Sequence, residues 1–301
     1  MKKGVKRFGW GILIILGLGG VFLALAALRV EIRRNEKVNI EVAAIELPQD
    51  AASLQEGKRL LQTKGCADCH GEDMGGRVFV NEPPVGRFAG SNLTLGKGSR
   101  VVNYKDGDWI RAIRFGVDPE GRPLIMMPAG DFHGMSNRDL ARMIAYLKTV
   151  PPVDRESETQ KIGPVSRVLY NMNQMPLLFS YEHLDRQAEF IDDVKVESTA
   201  EYGKYIANAC LGCHGPGFSG GAIPGTPPSW PPAKNLTPSG GFAQWSLEDF
   251  KKVLRTGLTP DNHQINPQFM PWKATQAMTD VEIEALFKFL KTLPARAEGS
   301  R

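Results

Sequence analysis

The sequence predicts a helical chain in which one small module is used twice behind an apolar N-terminal helix. Three observations carry this: an uncharged stretch near the N-terminus, an internal repeat at an offset of 143 residues, and amphipathic helix signals that open and close each copy.

The 301 residues are enough for two domains of ordinary size plus a tail. A hydrophobic content of 42% and a charged content of 23% are globular values, while 21 prolines and 32 glycines leave much of the chain to loops. The net charge of +4 is unevenly placed. Residues 1–34 hold seven Lys/Arg against the single acid Glu31, a charge of +6, so the remainder is about −2. A near-neutral body without a basic stripe excludes nucleic acid as a partner.

From Phe8 to Leu28 the chain runs 21 residues without a charge, which as a helix covers the ~30 Å of bilayer hydrocarbon. No polar face interrupts it, which argues against an ordinary core helix with one face to solvent. Lys2, Lys3, Lys6 and Arg7 precede it as in a signal peptide, and Ala24-Leu25-Ala26 resembles a cleavage site. The length of the stretch favours an uncleaved anchor over a signal peptide, and residues 1–34 are assigned to it.

The repeat aligns Asn92-Leu93-Thr94 with Asn235-Leu236-Thr237, Met127-Pro128 with Met270-Pro271, and Ser136 with Thr279. It divides the rest of the chain into a first module at 50–150, a connector at 151–197 and a second module at 198–295. Each module opens on a capping-box pattern, Ser53-x-x-Glu56 and Ser198-x-x-Glu201. Each closes on a second one: Ser136-x-x-Asp139 precedes the stripe Leu140, Met143, Ile144, Leu147, and Thr279-x-x-Glu282 precedes Ile283, Leu286, Phe287, Leu290. Pro151 and Pro294 stop these helices. The apolar Leu177-Leu178-Phe179 predicts that the connector packs on a module.

All four cysteines fall in two groups, Cys66-Ala67-Asp68-Cys69-His70 and Cys210-Leu211-Gly212-Cys213-His214. Two thiols three positions apart can each add to one haem vinyl group, and the histidine that follows then lies under the iron as axial ligand. A zinc ribbon needs its pairs roughly 15–20 residues apart, and these lie 144 apart. A thioredoxin-like pair needs a strand–helix context, and a disulfide leaves the histidine after each pair unexplained. The sequence therefore predicts two covalently bound haem c groups, attached through Cys66, Cys69, Cys210 and Cys213, with His70 and His214 on the irons.

For the second axial position each module offers a methionine before its closing helix. Met127 and Met270 stand at equivalent repeat positions, each followed by a proline that keeps it out of a helix. Thioether ligation favours Fe(II) and a high potential. Met126 adjoins Met127 and is the competing ligand. Met135 and Met278, beside helix caps, read as core. His133 aligns with Gln276 and reads as surface or propionate-side; His183 and His263 carry no assigned chemistry. Asn92 and Asn235 sit in sequons, but read as haem-edge supports or turn residues. Trp109, Trp230, Trp245 and Trp272 read as haem-pocket walls or core.

These residues resemble the class I cytochrome c family, specifically diheme cytochromes similar to the cytochrome subunits of bacterial membrane-bound alcohol and aldehyde dehydrogenases. The resemblance rests on CADCH, CLGCH, SNLTLG, KNLTPSGG, IMMPAGDF, FMPWKAT and the closing AYLKTVPPV and KFLKTLP, and covers nearly everything after the anchor. It implies an all-α fold of two tandem cytochrome c-like domains after a transmembrane helix, with His/Met ligation by His70 and Met127 and by His214 and Met270. It also implies a single-pass protein of the inner membrane with its haem domains on the periplasmic side. This chain has two haem motifs where dehydrogenase subunits of this type usually have three.

The function expected is electron transfer, as a free carrier or as the cytochrome subunit of a dehydrogenase complex, from a dehydrogenase or quinol-oxidising donor toward a terminal oxidase or soluble cytochrome, with no catalytic base or nucleophile. The alternative is a diheme peroxidase, which needs one iron open and acid/base groups beside it. A methionine candidate in both modules argues against that.

Overall fold

The computed structural model describes residues 2–300, with side chains from Phe8 onward. The basic side chains expected to flank the anchor, Lys2, Lys3, Lys6 and Arg7, lie outside those described.

Helix α1 (Lys2–Arg34) contains the apolar stretch and continues past it. Its most apolar 18-residue window, within Phe8–Arg34, has a mean hydropathy of 2.6 and is almost wholly exposed, so the helix is long and apolar enough to cross a membrane. Its last turns leave solvent: Ala26 and Val30 are buried.

The first module is framed by α2 (Ala51–Thr63), the one-turn α3 (Cys66–His70), α4 (Asp106–Phe115), α5 (Ala129–His133) and α6 (Asn137–Leu147). Its opening helix starts earlier than the sequence suggested. Asp50, in extended conformation, accepts from Ser53 N at 2.9 Å, and Ser53 lies inside the first turn. In the second module Thr199, and not Ser198, is the N-cap of α8 (Ala200–Ala207). Both closing helices begin where their signals stood, with Ser136 capping α6 and a complete capping box from Thr279 and Glu282 on α12 (Asp280–Thr292). Between them the second module adds α9 (Leu211–His214), α10 (Leu247–Thr256) and α11 (Trp272–Thr275).

Opening and closing helices cross closely in both modules because a glycine lies at each crossing. A methyl on Gly57 would come within 2.1 Å of Arg142 O on α6, and one on Gly203 within 1.9 Å of Ala285 O on α12. Only a residue without Cβ admits that approach.

The all-α expectation is corrected by a three-stranded antiparallel sheet of β1 (Arg77–Glu82), β2 (Gly86–Gly90) and β3 (Lys161–Ile162), in the order β1-β2-β3. Val78 and Val80 on β1, with a hairpin turn through Pro83 and Pro84, form a half-buried ribbon after the first haem motif. The second module keeps only the root of this ribbon, a single bridge between Gly221 and Ala233, since five prolines in Pro224–Pro232 remove the donors a ladder needs.

The segment after α6 is structural. It supplies β3, α7 (Pro164–Asn171) and a 3₁₀ helix (Pro176–His183), and buries Leu178 and Phe179 completely. These join Val30 from α1, Val38, Ile40 and Phe88 in a core distinct from those of the two modules.

Candidate functional site

Cys66 and Cys69 lie three apart on the one-turn helix α3, so both thiols leave the same face. They border a cavity of about 710 Å³ in the first module, walled by Trp109, Phe132, Met143 and Leu147 and by His70, Met126 and Met127. Burial pushes the Cys66 thiol up to about 12 and the Cys69 thiol to about 11, which keeps both protonated at neutral pH. His70 is held neutral by burial, and its Nδ1 lies 2.7 Å from Ser91 O. A neutral imidazole that donates from Nδ1 leaves the Nε2 lone pair for a metal.

The second module repeats this arrangement. His214 Nδ1 lies 2.8 Å from Lys234 O, and Leu236 N donates to Phe218 O as Leu93 N does to Met74 O, both at 2.8 Å. Met74 and Phe218 each take a left-handed backbone, at φ 54° and 56°. Burial raises the Cys210 thiol to about 11.

The methionine loops match as closely. Ala129 N donates to Met127 O and Trp272 N to Met270 O, each at 2.8 Å, and the following prolines have ψ of 58° and 59°. Met127 packs on the core that holds Cys66 and Trp109; Met270 packs on the one that holds Cys210 and Phe250. Met126 differs. It has φ 59°, its N–H donates to Leu178 O at 3.2 Å, and its side chain joins the connector core with Phe179. Both methionines border the cavity, but only Met127 shares the geometry of Met270.

Several sequence assignments move. Asn92 and Asn235 are buried and tie the chain after each closing helix to the loop after each haem motif. Asn92 Nδ2 donates to Val153 O at 2.7 Å and Arg155 O at 3.0 Å, and Asn235 Nδ2 donates to Arg296 O at 2.8 Å. The Oδ1 of each accepts from the N–H two residues on, that of Thr94 and of Thr237 at 2.9 Å, which is the turn role the sequence offered. His133 is not at the surface: it stacks edge-on against Phe115 and Phe190 and is bonded to Arg114 O at 3.1 Å. Trp109 walls the cavity and Trp245 joins the second core, as expected of core tryptophans.

The two sites meet through residues that no sequence motif marks. Asp131, four residues after Met127, faces the second attachment loop: a methyl on Gly212 would lie 3.7 Å from its Oδ1. Burial raises the Asp131 carboxyl to about 6, with Lys64 opposing the shift. Lys64 stands two residues before Cys66, and burial lowers its own pKa.

The cavity beside the Cys-x-x-Cys-His turn, its apolar walls and the single presented imidazole fit a covalently attached tetrapyrrole. The comparisons with known proteins agree. The fructose dehydrogenase cytochrome subunit of Gluconobacter japonicus is 26% identical over 280 residues, covering 83% of this chain and 54% of that subunit. A diheme cytochrome c-type protein of Cereibacter sphaeroides is 26% identical over 268 residues, 79% of this chain and 85% of that protein. The cytochrome c subunit of an alcohol dehydrogenase (quinone) from Gluconobacter oxydans is 24% identical over 275 residues, 83% of this chain and 56% of the subunit. The chain thus spans about half the length of these dehydrogenase subunits. The cytochrome c family model matches residues 54–151 and 200–294, the two stretches that carry the duplicated site, and the chain belongs to the cytochrome c family.

Proposed function

We propose that the chain is a membrane-tethered electron carrier with two covalent haem c groups, one in each module. The duplicated constellation carries this reading: a Cys-x-x-Cys-His turn, an imidazole held by a backbone carbonyl, and a Met-Pro turn of matching dihedral angle packed on the core of its own module. Cys66 and Cys69 would attach one group and Cys210 and Cys213 the other, and His70 with Met127, and His214 with Met270, would hold the irons. Bound haem supplies a one-electron Fe(III)/Fe(II) couple.

The chain's own groups orient and enclose it. Ser91 O and Lys234 O each hold an imidazole Nδ1–H, which fixes the ring and presents Nε2. Trp109, Phe132, Met143 and Leu147 exclude water in the first module. The thioethers of Met127 and Met270, on the irons, would favour Fe(II).

Residues 50–150 and 198–295 form the two cytochrome c domains, 151–197 the connector, and 1–34 a single span of the inner membrane with both domains on its periplasmic side. Relatives named as cytochrome subunits of fructose and alcohol dehydrogenases support a dehydrogenase as electron donor, directly or through a quinol-oxidising complex. A terminal oxidase or soluble cytochrome completes the path. The peroxidase alternative has no support from these relatives, and two equivalent methionines leave neither iron open. The purified protein should show a low-spin spectrum with the near-infrared methionine-to-iron band at two-haem intensity; a high-spin fraction in the resting protein contradicts this reading.

A further inference from the structure

Helix α7 presents three faces. Ser166 and Tyr170 are buried against the body. Arg167 and Asn171, one turn apart, reach α1: Arg167 Nη1 donates to Ala27 O at 3.1 Å and its Nη2 to Glu31 Oε1 at 2.6 Å, while Asn171 Nδ2 donates to Ala26 O at 3.2 Å. The third face is apolar and exposed at both ends, with Val168 half-buried between them. Val165, Val168 and Met172 follow the i, i+3, i+7 spacing of one stripe, with Val165 40% and Met172 58% exposed, and Leu177 just beyond is 38% exposed.

Isolated exposed apolar residues need no explanation, but a stripe joined to a lipid-facing helix does. Ala26 and Ala27 belong to the uncharged stretch that ends at Leu28, so these bonds tie α7 to α1 at the last turn of its apolar segment. On α1 itself Leu25, Leu28 and Ile32 are exposed at the same i, i+3, i+7 spacing. Both helices thus carry an exposed apolar stripe near the point where they are bonded together. Beside it, the Arg29 guanidinium lies 5.4 Å from the ring of the buried Tyr170, which places a cation at the edge of this surface.

We propose that α7 and the turn after it are a membrane-seating face, with the Val165–Val168–Met172 stripe in the interfacial layer of the bilayer that α1 crosses and Arg29 among anionic headgroups. This rests on reading α1 as a membrane span. The consequence is orientation. Glu31, Arg34 and Asn35 border the cavity of the first module, so that cavity opens within a few residues of the membrane surface.

The test uses the full-length holoprotein in phosphatidylcholine/phosphatidylglycerol nanodiscs, one chain per disc, carrying a nitroxide on a cysteine introduced as V165C, M172C, L16C or I191C. The ratio of oxygen to water-soluble nickel-complex accessibility reads depth. Positions 165 and 172 should exceed position 191 several-fold and fall below position 16. Lipid-like values at 16 with water-like values at 165 and 172 overturn the seating face and leave the span intact. Water-like values at position 16 as well overturn both. Protection of 165 and 172 that appears only with two chains per disc overturns the proposal in favour of self-association.

Discussion

Asp139 and Glu282 occupy the same position, the third residue after the N-cap, in the two closing helices, and each is held by a side chain from the opposite module. Tyr205 Oη donates to Asp139 Oδ2 at 2.7 Å, and Arg59 Nη1 donates to Glu282 Oε2 at 2.6 Å. Tyr205 and Arg59 both lie on opening helices, so the repeat meets itself with approximate two-fold reciprocity. Glu282 is 3% exposed and Arg59 also holds Glu56, which makes the second contact a partly buried charge cluster.

Removing Arg59 leaves Glu282 buried with its countercharge gone. Arg59→Met should destabilise the folded protein by ~3–5 kcal/mol, the cost of an uncompensated buried charge, and adding Glu282→Gln should restore much of it. Chemical denaturation of the two variants and wild type measures this. Equal destabilisation in the single and double variants would show that the Arg59–Glu282 pair does not couple the modules.

Asn92→Ala should cost ~2–3 kcal/mol, because the carbonyls of Val153 and Arg155 and the N–H of Thr94 lose their partner together. Asn235→Ala should cost less, since Ser239 Oγ also reaches Arg296 O. Thermal unfolding of both variants orders the two losses.

The two adjacent methionines separate by spectroscopy. Met127→Ala should abolish the methionine-to-iron band of one haem and lower its potential, while Met126→Leu should leave band and potential unchanged. The reverse pattern would assign the ligand to Met126.

Asp131 carries a pH dependence of definite sign. Its folded pKa of about 6 lies above the ordinary value of 3.8, so between them the folded protein binds the extra proton. Stability contributed by the protonated carboxyl is complete below pH ~4 and is lost as pH rises through 6. Asp131→Asn should therefore match wild type at pH ~4 and be more stable by ~1–3 kcal/mol above pH ~6. Melting temperatures of both proteins across that range check it; a constant difference would mean Asp131 titrates alike folded and unfolded.

Local chemistry was legible where short-range rules act. The attachment motifs, the closing helices from Ser136 and Thr279, and the apolar length of α1 follow from spacing and capping alone. The opening caps were misplaced because Ser53 and Ser198 carry a capping pattern while Asp50 and Thr199 hold the extended backbone that a cap requires. The β1–β2 ribbon was missed although Val78, Val80 and the Pro83-Pro84 turn signal it; the helical repeat on either side outweighed a short strand pattern. The roles of Gly57, Gly203 and Asn92, and the meeting of the modules at Asp139 and Glu282, depend on contacts between segments distant in sequence. No periodicity reports those.

The most direct test of the account is the intact mass of the denatured, purified chain, compared with that of a Cys210→Ser/Cys213→Ser variant. The wild-type mass should be increased by two haem groups that survive acid–acetone extraction, and the variant should keep only one. A wild-type chain carrying one haem or none, or a variant that still carries two, would contradict it.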